Sequence, residues 1–242
     1  MTLPDAARLM RVTRATWPAA ETRALGPVTL RCGRGGGNRV SAASVDGPFT
    51  DADLDAAEAA MRDMGQPRLF TMLESDPLDA ALAARGYIAR DATQVYAADC
   101  ARVAASPPPV TTFDVWPPLA VQAEIWAAGG IGPARLAVIR RAAGPKTTIL
   151  GRINDRPAGT AFVAIHDRCA MLHALEVTAR DRRQGLARWL TQACARWAAA
   201  HGAAHFTLLT TVANAGANAL YASLGMEIVG RYHYRIHPED MP

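Results

Sequence analysis

The sequence is poor in the residues that build covalent or metal-held scaffolds. Its four cysteines, Cys32, Cys100, Cys169 and Cys194, lie far apart and form neither a C-x-x-C pair nor a Cys/His cluster. Neither a disulfide framework nor a zinc site is therefore indicated. The expectation is a cytoplasmic protein with reduced thiols and no bound metal.

Long apolar runs are missing too. No stretch approaches the roughly 18 to 20 uncharged apolar residues that a membrane-spanning helix needs. The opening MTLPDAARLMRVTRATWP has scattered charges and no apolar core, so no secretory signal is expected. The net charge of +4 is spread along the chain without a dense basic patch. Neither a membrane nor a nucleic acid is expected as a partner.

What the chain has is enough apolar material for a large core. It contains 242 residues, of which 50% are hydrophobic, sufficient for one large domain or two of about 120 residues. The proline-rich segment ARVAASPPPVTT (101–112) is typical of a connection between units. We therefore predict two domains, 1–103 and 104–242.

Turn residues and hydrophobic periodicity predict alternating helices and strands in both halves. In the first half the predicted helices are 4–16, 50–65 and 76–86, and the predicted strands are 28–32, 39–45, 68–73 and 93–98. In the second half the predicted helices are 117–130, 132–144, 186–202 and 214–224, with three strands within 146–177 and further strands at 205–212 and 226–236. This pattern predicts an α/β fold with a mixed sheet and flanking helices.

A glycine-rich segment, GRGGGN (33–38), stands between two strand-like segments of the first half. Such a loop could cradle a phosphate or form a hairpin turn. We favour the hairpin, because the residues that follow are strand-like and do not open a helix.

The two halves resemble each other. LFTML (69–73) aligns with LLTTV (208–212), and ALAARGY (81–87) aligns with LYASLGM (220–226). In this alignment Leu82 stands where the second half has Tyr221. We infer two tandem units of one plan that are not chemically equivalent.

The second unit has an unusual helix start. Arg182, Arg183 and Arg188 surround Gly185 at the beginning of a predicted helix. Cations at this end oppose the helix dipole, so they do not favour stability by themselves. The arrangement is favourable if a polyanion binds there, because the free N–H groups of a helix N-terminus attract anions.

The segment Arg182–Ala187 fits the pattern [Q/R]-x-x-G-x-[G/A], and a strand ending at Val177 precedes it. Downstream lies Asn214-x-x-Ala-x-x-Leu-Tyr221-x-x-Leu-Gly225. The combination resembles the GNAT superfamily of acetyl-CoA-dependent N-acetyltransferases. The resemblance is specific over about 172–236, and 1–103 resembles a degenerate copy of the same fold.

This resemblance implies a cofactor site and a catalytic acid. The pyrophosphate of coenzyme A would bind the backbone N–H groups around Arg183 to Arg188, the pantetheine arm would pair with the main chain of Leu175 to Val177, and Asn214 would hold an amide of that arm. The implied cofactor-binding residues are Leu175, Val177, Arg182, Arg183, Gln184, Gly185, Leu186, Ala187, Arg188 and Asn214.

Tyr221 would stand near the thioester sulfur as general acid. A phenol within hydrogen-bond reach can protonate a departing thiolate, which agrees with that role. The alternative is an aromatic residue that packs in the core.

The general base is left open. His173 and Glu176 lie on the strand that leads into the loop, and strand alternation puts them on opposite faces unless a bulge intervenes. His173 could instead be a hydrogen-bonded core histidine, Glu176 could pair with an arginine of the next turn, and a water chain could replace both. Tyr232 and Tyr234 are expected to lie in the core or to line the cleft.

The expected function is acetyl transfer from acetyl-CoA to a small-molecule or peptide amine, by direct transfer in a ternary complex, in a monomer or homodimer. The alternative is a non-catalytic module that binds coenzyme A or an acyl-CoA as a sensor or scaffold. A nucleotide site unrelated to coenzyme A is disfavoured, because neither GxxxxGK[ST] nor GxGxxG occurs.

Overall fold

A computed structural model describes residues 2–241 and shows a mixed α/β fold with helices on both faces of a large sheet. The first half contains α1 (Ala6–Thr16), β1 (Glu21–Leu25), β2 (Val28–Cys32), α2 (Asn38–Ser41), β3 (Ser44–Val45), α3 (Asp51–Asp63), β4 (Leu69–Leu73), α4 (Pro77–Ala84), β5 (Ile88–Asp99) and α5 (Cys100–Val103).

Within the described residues, the second half adds six strands and four α-helices. They are β6 (Thr112–Val115), α6 (Ala120–Ala128), α7 (Pro133–Arg141), β7 (Lys146–Ile153), β8 (Arg156–His166), β9 (Cys169–Val177), α8 (Leu186–Ala200), β10 (His205–Thr211), α9 (Ala215–Ser223) and β11 (Glu227–Ile236). No helix within residues 2–241 is long and apolar enough to span a bilayer.

One eight-stranded sheet runs through both halves, in the order β4-β11-β5-β10-β9-β8-β7-β6. A smaller sheet contains β1, β2 and β3. The last strands of the two halves are exchanged: β5 pairs antiparallel with β10, and β11 pairs antiparallel with β4. The exchanged strands also pair with each other at the centre. The aligned segments β4-α4-β5 and β10-α9-β11 therefore occupy symmetric places.

The two faces of the large sheet carry different helices. Along β8, Ala161 and Val163 belong to the core under α8, whereas Phe162 and Ala164 pack with Trp126 of α6 and neighbouring groups of α7. This alternation follows from the two-residue period of a strand that is buried on both sides.

Several local predictions differ from the structure. The predicted strand 39–45 is wrong over its first part, because Asn38–Ser41 form helix α2 and only Ser44 and Val45 pair with β2. Val40 is fully buried beside Trp17 and Val138, so tertiary packing overrides its strand preference. The connection from β2 to β3 is therefore not a simple hairpin turn. Strands β1 and β6 were not predicted, since β1 lacks apolar alternation and β6 has only four residues, directly after the proline-rich segment.

The helix ends follow their sequence signals. Thr50 accepts a hydrogen bond from the Asp53 amide, and the Asp53 carboxylate accepts one from the Thr50 amide. Because of this capping box, the N–H groups of Thr50 and Asp53 at the start of α3 have hydrogen-bond acceptors without a bound ligand. Helix α8 begins differently. Its N-cap is Gly185, which has no side chain to cap the free N–H groups.

Candidate functional site

The central feature of the site is a fork between two parallel strands. β10 pairs with β9 only from His205 to Leu208, opposite Cys169 to Leu172. Beyond that point the two strands separate. The fork leaves one edge of the end of β9 without a backbone partner, and it opens beside the start of α8.

A cavity of about 700 Å³ lies at this fork, and we call it the fork cavity. Its walls are the end of β9, the loop into α8, and helix α9. The lining residues are Leu175, Glu176, Val177, Asp181, Arg182, Arg183, Gly185, Leu186, Ala187, Arg188, Asn214, Gly216, Ala217, Ala219, Leu220, Tyr221 and Ser223.

The structure brings the sequence-predicted cofactor-binding residues together here, with one exception. Gln184 does not line the fork cavity; its side chain is exposed and lies 3.5 Å from the carbonyl oxygen of Arg180. Asp181, which the sequence analysis did not select, does line the cavity. Its hydrogen bond from Thr178 lowers the pKa of the carboxyl group, so it stays ionised.

The loop into α8 is shaped by two residues in the left-handed region. Gly185 has φ 87° and Arg183 has φ 63°. A Cβ atom at Gly185 would lie 3.7 Å from Trp189, an ordinary contact, so space does not require the glycine. Its backbone conformation does, because left-handed φ strains residues with a side chain. The N–H groups at the start of α8, which lack a side-chain cap, follow directly after this turn.

The three arginines at this helix end have different partners. Arg182 is 3.1 Å from Glu176 Oε1, and its Nε donates to the carbonyl of Val177 at 3.1 Å. Arg188 donates to Ser223 Oγ at 2.7 Å. Arg183 makes no ion pair with any residue between 2 and 241. Arg182 therefore braces the loop, whereas Arg183 is free to contact a ligand.

Helix α9 supplies the opposite wall. Asn214 is its N-cap, and Asn214 Oδ1 accepts from the Ala217 amide at 3.1 Å. This bond engages Oδ1, and Asn214, whose amide N–H₂ group is a donor, lines the fork cavity. The repeat-related helix α4 is capped by Asp76, so it offers only a carboxylate at the corresponding end.

Tyr221 lies on the inner side of α9 and is 7% exposed. Its ring centroid is 5.7 Å from that of Tyr96. Burial, with smaller contributions from Cys194 and Tyr96, raises the pKa of the Tyr221 hydroxyl to about 12. The phenol is therefore protonated at neutral pH and can donate a proton.

The bulge that would place His173 and Glu176 on one face is present. The register between β8 and β9 shifts between Thr160 and Phe162, and Ala174 has φ 49°. A bulge of this kind reverses the side-chain alternation of the strand. Glu176 lines the fork cavity and packs against Gly129 at the end of α6.

His173 does not line the fork cavity. It is buried, its Nε2 is 2.9 Å from Thr16 Oγ1, and its Nδ1 is 3.4 Å from Arg39 Nη1. Burial, and to a lesser degree Arg39, lowers the pKa of His173 well below its ordinary value. The neutral ring stacks on Trp17 at 4.9 Å. Both ring nitrogens are engaged, which favours the interpretation of His173 as a hydrogen-bonded core residue.

A second cavity, of about 470 Å³, adjoins the fork; we call it the Arg39 cavity. Ala174 and Thr211 line it, and they lie close in sequence to Leu175 and Asn214 of the fork cavity. Its lining residues are Trp17, Gly36, Gly37, Asn38, Arg39, Arg90, Asp91, Thr93, Ile131, Arg135, Ala174, Thr211, Tyr232 and Tyr234. Two sequence signals relate to this place: the glycine-rich loop at 33–38, and Tyr232 and Tyr234, which were expected to lie in the core or to line the cleft.

Comparison with known proteins agrees with this geometry. Residues 111–226 match the acetyltransferase (GNAT) family. The chain is 26% identical to the uncharacterized N-acetyltransferase YobR of Bacillus subtilis over 97% of its own length and 99% of that protein.

Two solved structures are similar in fold. A GCN5-related N-acetyltransferase from Kribbella flavida is 20% identical, with a TM-score of 0.74 over 96% of this chain and 95% of the other. A tandem GNAT protein from the clavulanic acid biosynthesis pathway is 17% identical, with a TM-score of 0.63 over 95% of this chain and 87% of the other.

Proposed function

We propose that this acyltransferase, whose residues 111–226 match the acetyltransferase (GNAT) family, moves an acetyl group from acetyl-CoA to an amine while both substrates are bound. The observation that carries the proposal is the fork cavity. It joins an uncapped helix N-terminus, unpaired strand edges and a protonated tyrosine in one space.

The start of α8 is proposed to hold the pyrophosphate of coenzyme A. The N–H groups from Arg183 to Arg188 have no side-chain cap, and a helix of 15 residues adds a partial positive charge at this end. Arg183 and Arg188 lie beside them and supply full charges. The arginines that are unfavourable to the helix dipole are favourable beside this anion.

The end of β9 is proposed to hold the pantetheine arm. From Leu175 to Val177 the strand has no partner among residues 2–241 on the side of β10, so its N–H and C=O groups can pair with amides of an extended ligand. The Asn214 side chain faces the same space and can donate to one of those amides.

Tyr221 is proposed as the general acid. As the amine nitrogen bonds to the acetyl carbon, the carbon–sulfur bond breaks and Tyr221 Oη protonates the departing sulfur. A thiol has a pKa of about 8.5, so this proton transfer assists a moderately good leaving group. The proton that the amine loses returns through solvent to the tyrosine.

Glu176 is proposed to accept the proton of the attacking ammonium, directly or through water. It lines the fork cavity with 18% of its side chain exposed, and Arg182 fixes its position. His173 is proposed to position Arg39 instead, because its Nδ1 faces that guanidinium.

The division into a degenerate unit, 1–103, and a catalytic unit, 104–242, remains a proposal. The first unit has Leu82 in the place of Tyr221 and a capped helix, α3, in the place of α8. This unit contributes β4 and β5 to the large sheet, and β5 lies between β10 and β11.

The pH dependence tests the assignment of Tyr221. Because burial raises its pKa to about 12, Tyr221 stays protonated across the usual assay range. We expect kcat/KM to rise with pH between about 6 and about 10, as the acceptor amine loses its proton, without an alkaline decline. A decline below about pH 10 that persists in Tyr221→Phe would assign the acid to another group and contradict the assignment.

The proposed function is tested by release of free thiol from acetyl-CoA across amino acids, polyamines, aminoglycosides and peptide N-termini. Amine-dependent release, with the acetylated amine identified by mass, is the expected result. Tight binding of acetyl-CoA without release for any amine would favour a sensor or scaffold.

A further inference from the structure

The Arg39 cavity carries more positive charge than the protein itself neutralises. Three arginines line it, Arg39, Arg90 and Arg135, against one carboxylate, Asp91. Asp91 is already engaged by Arg90 Nε at 3.2 Å and by Asn38 Nδ2 at 3.1 Å. Within residues 2–241, Arg39 and Arg135 have no carboxylate within ion-pair distance.

Arg39 is held in place yet incompletely bonded. Its Nε is buried and has no hydrogen-bond partner among residues 2–241, while its Nη1 faces His173 Nδ1 at 3.4 Å. His173 is in turn fixed by Thr16 and by the Trp17 ring. A buried guanidinium with a free N–H is costly unless an anion completes its bonds. The planar guanidinium matches a carboxylate with two parallel hydrogen bonds.

The cavity is built by both halves of the chain. The glycine-rich loop lies against α7, and a Cβ atom at Gly37 would approach Arg135 Nη2 to 3.3 Å. Gly36 is equally confined, because its Cβ would lie 2.9 Å from Val138 Cγ2. Tyr232 and Tyr234, whose hydroxyls are 3.4 Å apart, also line the cavity and interact with the Arg39 guanidinium. The glycines thus allow the loop to close over the arginines.

The position of the cavity relates it to the reaction. Ala174 lines the Arg39 cavity, and the next residue, Leu175, lines the fork cavity. A ligand anchored at Arg39 could therefore extend an amine toward the fork. The surrounding cations would also lower the pKa of that ammonium, which favours the neutral nucleophile.

We propose that the acceptor is an amine that carries a carboxylate, and that Arg39 and Arg135 bind this carboxylate in the Arg39 cavity. The inference rests on the proposed function, because it takes the fork as the place of transfer. A volume of about 470 Å³ is within the usual range for a small-molecule site.

The test measures binding, so that it does not depend on turnover. A panel of N-acetyl amino acids and the matching N-acetyl amino amides, as reaction products and their uncharged counterparts, is titrated calorimetrically into the protein with coenzyme A present. We expect at least one carboxylate to bind about 10- to 100-fold more tightly than its amide, the range for charge-assisted hydrogen bonds.

Substitutions locate the effect. In Arg39→Gln the preference for the carboxylate should fall to within about 3-fold, and Arg135→Gln should reduce it by about 10-fold. The control is Arg140→Gln, which removes one charge from the exposed surface of the same helix and should leave the preference unchanged. Circular dichroism verifies folding. If Arg39→Gln does not fold, the carboxylate preference of Arg135→Gln decides the test.

A wild-type protein that binds no carboxylate more tightly than its amide overturns the inference, and so does a preference that survives in the folded variants. Failure of the proposed function is distinct from both results. It would be seen as absence of thiol release for every amine in the screen.

Discussion

Replacing Gly185 by glutamate is expected to abolish binding of acetyl-CoA. Gly185 is the N-cap of α8 with φ 87°, at the wall of the fork cavity. A glutamate there is strained by about 1 to 2 kcal/mol and places a carboxylate where the proposed pyrophosphate would lie. Calorimetric titration of acetyl-CoA should show affinity weakened by more than about 10²-fold.

The other end of the same helix offers a matched control. Gly202 has φ 85°, and a Cβ atom there would meet nothing within 4 Å. Gly202→Glu therefore imposes a similar backbone strain and the same charge, but outside the fork cavity. The affinity of the Gly202→Glu protein for acetyl-CoA should equal that of the wild type. Unchanged affinity in a folded Gly185→Glu protein would overturn the assignment of the loop.

Replacing Tyr221 by phenylalanine is expected to lower kcat by about 10²-fold with little change in the affinity for acetyl-CoA. The change removes only the hydroxyl, and the ring keeps its contact with Tyr96. Loss of a general acid raises the barrier of the transfer step without removing a ground-state contact. Initial rates of thiol release and calorimetry on the same preparation measure the two effects.

Tyr87→Phe is the control for the loss of a buried phenol. Tyr87 is 3% exposed in the core of the first half and lines neither cavity. Its kcat should match that of the wild type. If Tyr221→Phe loses rate and affinity in equal measure, Tyr221 has a packing role.

The elements around the fork cavity could be predicted because their signals are local. Gly185 before an apolar helical pattern predicts the start of α8, and Asn214 followed by Tyr221 and Gly225 predicts α9 and its end. Those signals depend on backbone conformation within one or two turns of chain. The mixed α/β fold was confirmed, and the match of residues 111–226 to the acetyltransferase (GNAT) family agrees with the resemblance seen in the sequence.

The exchange of β5 and β11 could not be predicted, because pairing between distant strands depends on the whole sheet. The bulge at Ala174 was equally hidden, since alanine gives no local sign of positive φ. The Arg39 cavity collects residues from separate segments, and helix α2 replaced a predicted strand there. The spacing of residues along the sequence does not show which distant segments come into contact in the fold.

Amide hydrogen exchange with and without acetyl-CoA measures directly where the cofactor binds. We expect slower exchange in peptides that cover Leu175–Val177 and Arg183–Arg188, and no change at the start of α3, the corresponding helix of the first half. Slower exchange confined to the glycine-rich loop at 33–38, with none at 175–188, would contradict this expectation.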